Sequence, residues 1–110
     1  MTRSNSGTPI QVGIADLGRA GWDIHAKAMA DLPNRFAIVA VCDPKPERRV
    51  QAQERFACRA YAGYAGLVAD DEVELLVDAT PSHLHARNTI LALRAGKHVL
   101  VEKPMATAHI

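Results

Sequence analysis

The chain has 110 residues, with 13 Lys+Arg against 12 Asp+Glu, a net charge of +1 and 48% hydrophobic residues. These values describe one globular domain with a modest core, since chains of this size bury about two-thirds of their unfolded surface. A near-neutral charge with no Lys/Arg block carries no footprint for nucleic acid or a membrane surface, and no apolar run approaches the ~20 residues of a membrane span.

Residues 1–9 (MTRSNSGTP) are polar, lack the apolar stretch of a signal peptide, and read as a disordered leader. Ile10 to Ala15 (IQVGIA) suits a short buried strand. A helix is expected from Arg19 to Leu32, with Ala20, Ile24, Ala28 and Leu32 spaced near four, stopping before Pro33. AIVAVC (37–42) is a second, β-branched strand, and PERRVQAQERF (46–56) predicts a polar helix with proline in its first turn. A short strand about Ala60-Tyr61 and a weak helix over Tyr64 to Ala69, interrupted by Gly66, come next. ELLVDA (74–79) is another buried strand. Ser82 to Ala95 predicts a helix capped by Ser82, with Ala86, Ile90 and Leu93 on one face and Gly96 closing it. His98 to Val101 is the last strand. Strand and helix alternate, and the strands are almost continuously apolar. The expected fold over residues 10–110 is therefore α/β: a doubly wound parallel (Rossmann) sheet of about five strands in the order 3-2-1-4-5.

Ligands bind such sheets beyond the carboxyl ends of the strands, where the strand order reverses. There the first strand runs into Asp16-Leu-Gly-Arg-Ala-Gly21, the spacing of a Gly-x-Gly-x-x-Gly dinucleotide turn with Asp16 at the first glycine position. Gly18, after Leu17, would let the backbone approach a pyrophosphate. The N–H groups of Arg19 and Ala20 would meet it at the positive helix end, and Gly21 would let the helix pack close to the sheet. Asp tolerates unusual backbone angles better than most residues, but its charge would lie near an anionic pyrophosphate. Either the carboxylate turns away into a local hydrogen bond, or cofactor affinity is reduced.

Asp43, at the end of the second strand, lies close to the ~20-residue distance at which a carboxylate accepts the adenosine ribose hydroxyls. A carboxylate there favours NAD, while Lys45, Arg48 and Arg49 leave NADP open. Asp43-Pro-Lys-Pro also suits a plain turn and helix start. Gly13 and Gly18 have P-loop spacing, but Arg19-Ala20 stand where Lys and Ser/Thr would hold phosphate and magnesium, which excludes that motif. His83 and His85 have no acidic or histidine partners at ligand spacing, so no metal site is expected; His85 is expected to help line the cofactor cleft and His83 to cap the helix or face solvent. His25, His98 and His109 read as structural or surface residues. Cys42 and Cys58 lack C-x-x-C or metal-ligand spacing and read as small buried residues. Nothing argues for oxidising surroundings, and a cytoplasmic location is the default.

Together, VGIADLGRAGW (12–22), VAVCDPKPERR (39–49), DATPSHLHA (78–86) and AGKHVLVEKPM (95–105) resemble the amino-terminal NAD(P)-binding domain of the glucose–fructose oxidoreductase / inositol dehydrogenase (Gfo/Idh/MocA) family. The resemblance covers nearly the whole chain from Ile10 onward. It implies an oxidoreductase that passes a hydride between a nicotinamide cofactor and a sugar, cyclitol or related polyol. It also implies that Thr80, Pro81 and His85 of the Ala79-Thr-Pro-x-His-x-His85 motif, and Glu102 and Lys103 of Glu102-Lys-Pro104, lie at the cofactor, with Lys103 catalytic beside the nicotinamide and the substrate hydroxyl. A lysine so placed could orient a substrate oxygen, or transfer its proton if burial lowers the pKa.

Members of that family continue with a sixth strand and a second α/β domain carrying substrate residues. These 110 residues are accordingly expected to bind the dinucleotide with little or no turnover. The alternative is a non-catalytic nucleotide-binding or self-associating module, a pseudoenzyme, whose last strand offers an exposed sheet edge to another chain.

Overall fold

A computed structural model describes residues 8–101. Its five strands are β1 (Ile10–Ala15), β2 (Phe36–Cys42), β3 (Arg59–Tyr61), β4 (Leu75–Asp78) and β5 (His98–Val101). They form one parallel sheet in the order β3-β2-β1-β4-β5, the order read from the sequence. The interior strands β2, β1 and β4 lie between apolar layers, which is why they carry few polar residues. Alternation along β1 sends Val12 and Ile14 into one layer with Val41, Val77, Met29 and Ala52, and Ala15 into the other with Ala40, Leu67, Leu76 and Ala92. Full burial of a side chain such as Ile14 or Leu76 contributes about 1.5–3 kcal/mol.

Helix α2 (Pro46–Phe56) has the expected bounds, with its proline at the start. Helix α3 (Tyr64–Val68) stops one residue short of the expected segment. The first crossover differs. Arg19–Ala26 is wound as a π-helix that continues into α1 (Lys27–Ala30). With i→i+5 bonding, Gly21 and Ala26 fall on the buried face, joined by Met29, while Ile24 and Leu32 of the expected four-residue stripe are exposed.

The last helix also needs correction. Ser82 makes no capping bond; it opens a 3-10 turn (Ser82–Leu84) ahead of α4 (His85–Arg94). The buried residues of α4 are Asn88 and Ala92, whereas Ala86, Ile90 and Leu93 face outward. A small residue and an amide suffice where the helix lies close over β4 and Tyr64. Gly96 does close the helix, at φ +81°, with the Lys97 N–H donating back to the Ala92 carbonyl (3.1 Å).

Away from the carboxyl edge, one polar network fastens β3 to the loop before β4. The Arg59 guanidinium donates to both Asp70 carboxylate oxygens (2.7 and 3.1 Å) and the Tyr61 hydroxyl donates to Oδ2 (2.8 Å). Arg59 above all, assisted by Tyr61 and the Glu72 N–H, holds the Asp70 carboxyl down at about 2 against the partial cost of burial. The buried Lys97 ammonium donates to the carbonyls of Asp70 (2.8 Å) and Val73 (3.0 Å). These charges satisfy one another and the backbone, and their role is structural.

Candidate functional site

The register of the sheet places the site. Ala15 is level with Cys42 of β2 and with Asp78 of β4, so Asp16, Asp43 and Ala79 leave the sheet along one edge. The Asp16 N–H donates to the Cys42 carbonyl (2.8 Å) and the Ala79 N–H to the Ala15 carbonyl (3.0 Å), extending the pairing to the rim. Asp16 then turns the chain at φ +78°, a left-handed conformation that favours glycine but which Asp and Asn visit more readily than other residues. Its Oδ1 accepts the Gly18 N–H (2.9 Å), so the carboxylate does turn into a local hydrogen bond.

Gly21 is the tightest point. A Cβ there would sit 1.8 Å from the Asp16 carbonyl oxygen, so only glycine lets the helix cross the turn at this distance. Gly18, extended at φ −72°, precedes the helix, and no side chain caps it. The first N–H groups, from Arg19 and Ala20 onward, point out of the helix end toward the rim, where a helix favours negative charge.

Asp43 fastens this turn from below. Its side chain has no solvent exposure. Oδ2 accepts the Leu17 N–H (2.8 Å) and Oδ1 the Lys45 N–H (2.8 Å). Arg48 Nη1 lies 3.3 Å from Asp43 Oδ2 and 3.8 Å from Asp16 Oδ1, bridging the two carboxylates. Arg49 is engaged elsewhere, donating to the carbonyls of Asp43 (2.8 Å) and Pro44 (3.2 Å). Asp43-Pro-Lys-Pro is thus a turn and helix start, and its carboxylate also organises the dinucleotide turn.

A second group of side chains follows β4. Asp78, wholly buried, accepts both the backbone N–H (3.0 Å) and the hydroxyl of Thr80 through Oδ1. Asn88 donates to the Thr80 hydroxyl oxygen (3.0 Å), and His85 Nε2 meets the Thr80 carbonyl (2.6 Å). Tyr64 donates its hydroxyl to the Asn88 carbonyl (2.7 Å); burial, then the charge of Asp78, pushes its phenol pKa up. Asp78 Oδ2 and Asn88 Oδ1 are buried without a hydrogen-bond partner among the described residues. His85 is therefore held against the Thr80-Pro81 loop, while His83 is exposed. Glu102, Lys103, Pro104 and His109 lie outside the described residues, as does most of the leader.

Sequence reasoning missed the bridge made by Arg48 and the buried pair Asp78 and Asn88. The carboxylate ending the apolar run of β4 was the available signal for the second; for Arg48 the sequence shows only a cation near Asp43. Cys42 is packed beside Asp16, and burial pushes its thiol up to about 12, an unreactive state. Among the described residues no group of three or more His, Cys, Asp and Glu side chains could hold a metal, and no helix is long and apolar enough to cross a membrane.

The donor set fits a dinucleotide. Gly21 keeps the helix end against the turn, uncapped N–H groups face the rim, and a carboxylate stands at the end of the neighbouring strand. Relatives share this arrangement's sequence and shape. Inositol 2-dehydrogenase from Salmonella typhimurium is 33% identical over 99 residues, covering 88% of this chain and 29% of the relative. The WlbA dehydrogenase from Bordetella pertussis, solved with NADH and UDP-GlcNAcA, superposes with a TM-score of 0.80 at 35% identity, covering 90% of this chain and 30% of that one. A 3-ketoreductase from Actinomadura kijaniata, solved with NADP and TDP-benzene, gives a TM-score of 0.80 at 34% identity over the same shares of the two chains. The chain thus spans less than a third of the length of these relatives. The pattern of the oxidoreductase family with an NAD-binding Rossmann fold matches residues 10–110, and the chain belongs to that Gfo/Idh/MocA oxidoreductase family.

Proposed function

We propose that the chain is the NAD(P)-binding part of an oxidoreductase acting on a sugar, cyclitol or related polyol, with NAD as its preferred cofactor. The observation that carries this reading is the turn itself: Gly21 under the Asp16 carbonyl, with Asp43 clasping Leu17 beneath it. When bound, the nicotinamide dinucleotide supplies the hydride chemistry. The residues of this chain bind and orient it. Gly18, Arg19 and Ala20 meet the pyrophosphate, Asp43 the adenosine ribose, and Thr80, Pro81 and His85 the nicotinamide side of the rim. Lys103, with Glu102 beside it, would orient or protonate the substrate oxygen.

The substrate class is supported by relatives named for inositol and for a dTDP-linked keto sugar. Two free, buried cysteines suit a reducing cytoplasm. Trp22, the single tryptophan, follows Gly21 directly and offers a fluorescence readout. Titration of the chain is expected to give saturable binding of NAD(H), weaker binding of NADP(H) and no measurable polyol oxidation. Binding of neither cofactor would overturn the reading.

A second reading, a self-associating module without catalysis, is favoured by the other edge of the sheet. Strand β5 ends the sheet among the described residues, and Leu100 on it and Ile90 and Leu93 on α4 are exposed. Concentration-dependent dimers in sedimentation velocity are expected from such an edge; a monomer at every concentration would remove that reading.

A further inference from the structure

We infer that Asp16 and Arg48 together set the choice of nicotinamide cofactor, a reading that rests on the dinucleotide site proposed above. Asp43, the carboxylate expected to accept ribose hydroxyls, has a side chain with no exposure, and the Arg48 guanidinium, on a side chain 35% exposed, lies 3.3 Å from its Oδ2. Of the three donors on Asp43, Arg48 is the one side chain beside the Leu17 and Lys45 backbone N–H groups, so it is the donor that a ribose hydroxyl can displace. The place for it to go is already present. Asp16 Oδ1 lies 3.8 Å from Arg48 Nη1, close enough to receive the guanidinium as Asp43 releases it. Asp16 itself cannot follow, because the same oxygen is tied to the Gly18 N–H.

This transfer decides what Arg48 can do for the ligand. A guanidinium beside the ribose would ordinarily grip a 2′-phosphate through paired, charge-assisted hydrogen bonds. Here it stays paired with Asp16, and a 2′-phosphate would meet two carboxylates sharing one cation. Arg49 does not replace it, since its guanidinium is bound to the carbonyls of Asp43 and Pro44. The aspartate at the first glycine position is thus an anchor that withholds Arg48 from the phosphate and selects NAD.

The ratio of NADP+ to NAD+ dissociation constants isolates this effect, because repulsion between Asp16 and the pyrophosphate is common to both cofactors and cancels. Asp16→Asn is the first variant: it keeps the left-handed turn and an acceptor for the Gly18 N–H but removes the charge. Asp16→Gly, suited to φ +78°, is the second. Each is expected to shift the ratio toward NADP+ by about tenfold, the size of one new charge-assisted hydrogen bond from the released Arg48 to the 2′-phosphate. In an Arg48→Gln background the same Asp16 changes should move the ratio by about twofold or less, since the coupled pair is already broken. An unchanged ratio in both Asp16 variants, or an equal shift with and without Arg48, would overturn the inference while leaving the cofactor site intact. Binding of neither cofactor by the unaltered chain would remove the site and the inference together.

Discussion

Gly21→Ala is expected to abolish measurable dinucleotide binding and to lower stability by about 3 kcal/mol, a large share of the roughly 5–15 kcal/mol that holds a domain together. The added methyl would stand 1.8 Å from the Asp16 carbonyl oxygen and 3.0 Å from its carbon. Both are backbone atoms, so no rotamer change relieves the clash. The helix must back away from the turn, or Asp16 must leave its conformation, and either movement takes the Arg19 and Ala20 N–H groups from the rim. Gly18→Ala is the informative contrast. Its Cβ would meet only the ends of side chains, Asp16 Oδ1 at 3.1 Å and Arg48 Nη1 at 3.6 Å, so it should fold with near-normal stability and impair binding alone. Urea unfolding and NAD(H) titration of both variants separate these effects. A Gly21→Ala protein of unaltered stability would show that the close crossing does not constrain the turn.

The contrast between these two glycines shows what the sequence could convey. The spacing from Asp16 to Gly21 marked the turn, and short apolar runs marked the interior strands β1, β2 and β4, because a parallel sheet covered on both sides writes itself as nearly uninterrupted hydrophobic segments. Pro46 and Gly96 marked helix ends, since each acts through its own backbone angles. The failures lie where the outcome depends on neighbours distant in sequence. The stripe Ala20, Ile24, Ala28, Leu32 assumed α winding, and the π winding over Arg19–Ala26 turned Gly21 and Ala26 inward instead. The apolar face Ala86, Ile90, Leu93 is real, yet α4 packs through Asn88 and Ala92, because periodicity identifies a stripe without saying which side meets the sheet. Arg48 was legible only as a nearby cation; its bridge between two carboxylates needs β1 and β2 side by side.

Asp43→Asn should have the second large effect, costing about 3 kcal/mol of stability and weakening NAD(H) binding by at least tenfold. The native carboxylate is buried and accepts from three donors: the N–H groups of Leu17 and Lys45, and Arg48 Nη1. Asparagine has one oxygen. Whichever way the amide turns, its NH2 faces a backbone N–H or the guanidinium, leaving a buried donor unpaired. If the Leu17 contact is the one lost, the turn is no longer fastened to the end of β2. If the Lys45 contact is lost, the entry to α2 loosens and Arg48 moves with it. Both routes disturb the same corner, so stability and binding should fall together, unlike the Gly18→Ala case, where binding falls alone. The expected pair of results is a lowered urea midpoint with an unchanged slope, and a weakened titration with NAD(H) at neutral pH. A variant as stable as the parent would mean that Asp43 does not hold the turn; one that also bound NAD(H) normally would show that the ribose is recognised elsewhere on the rim.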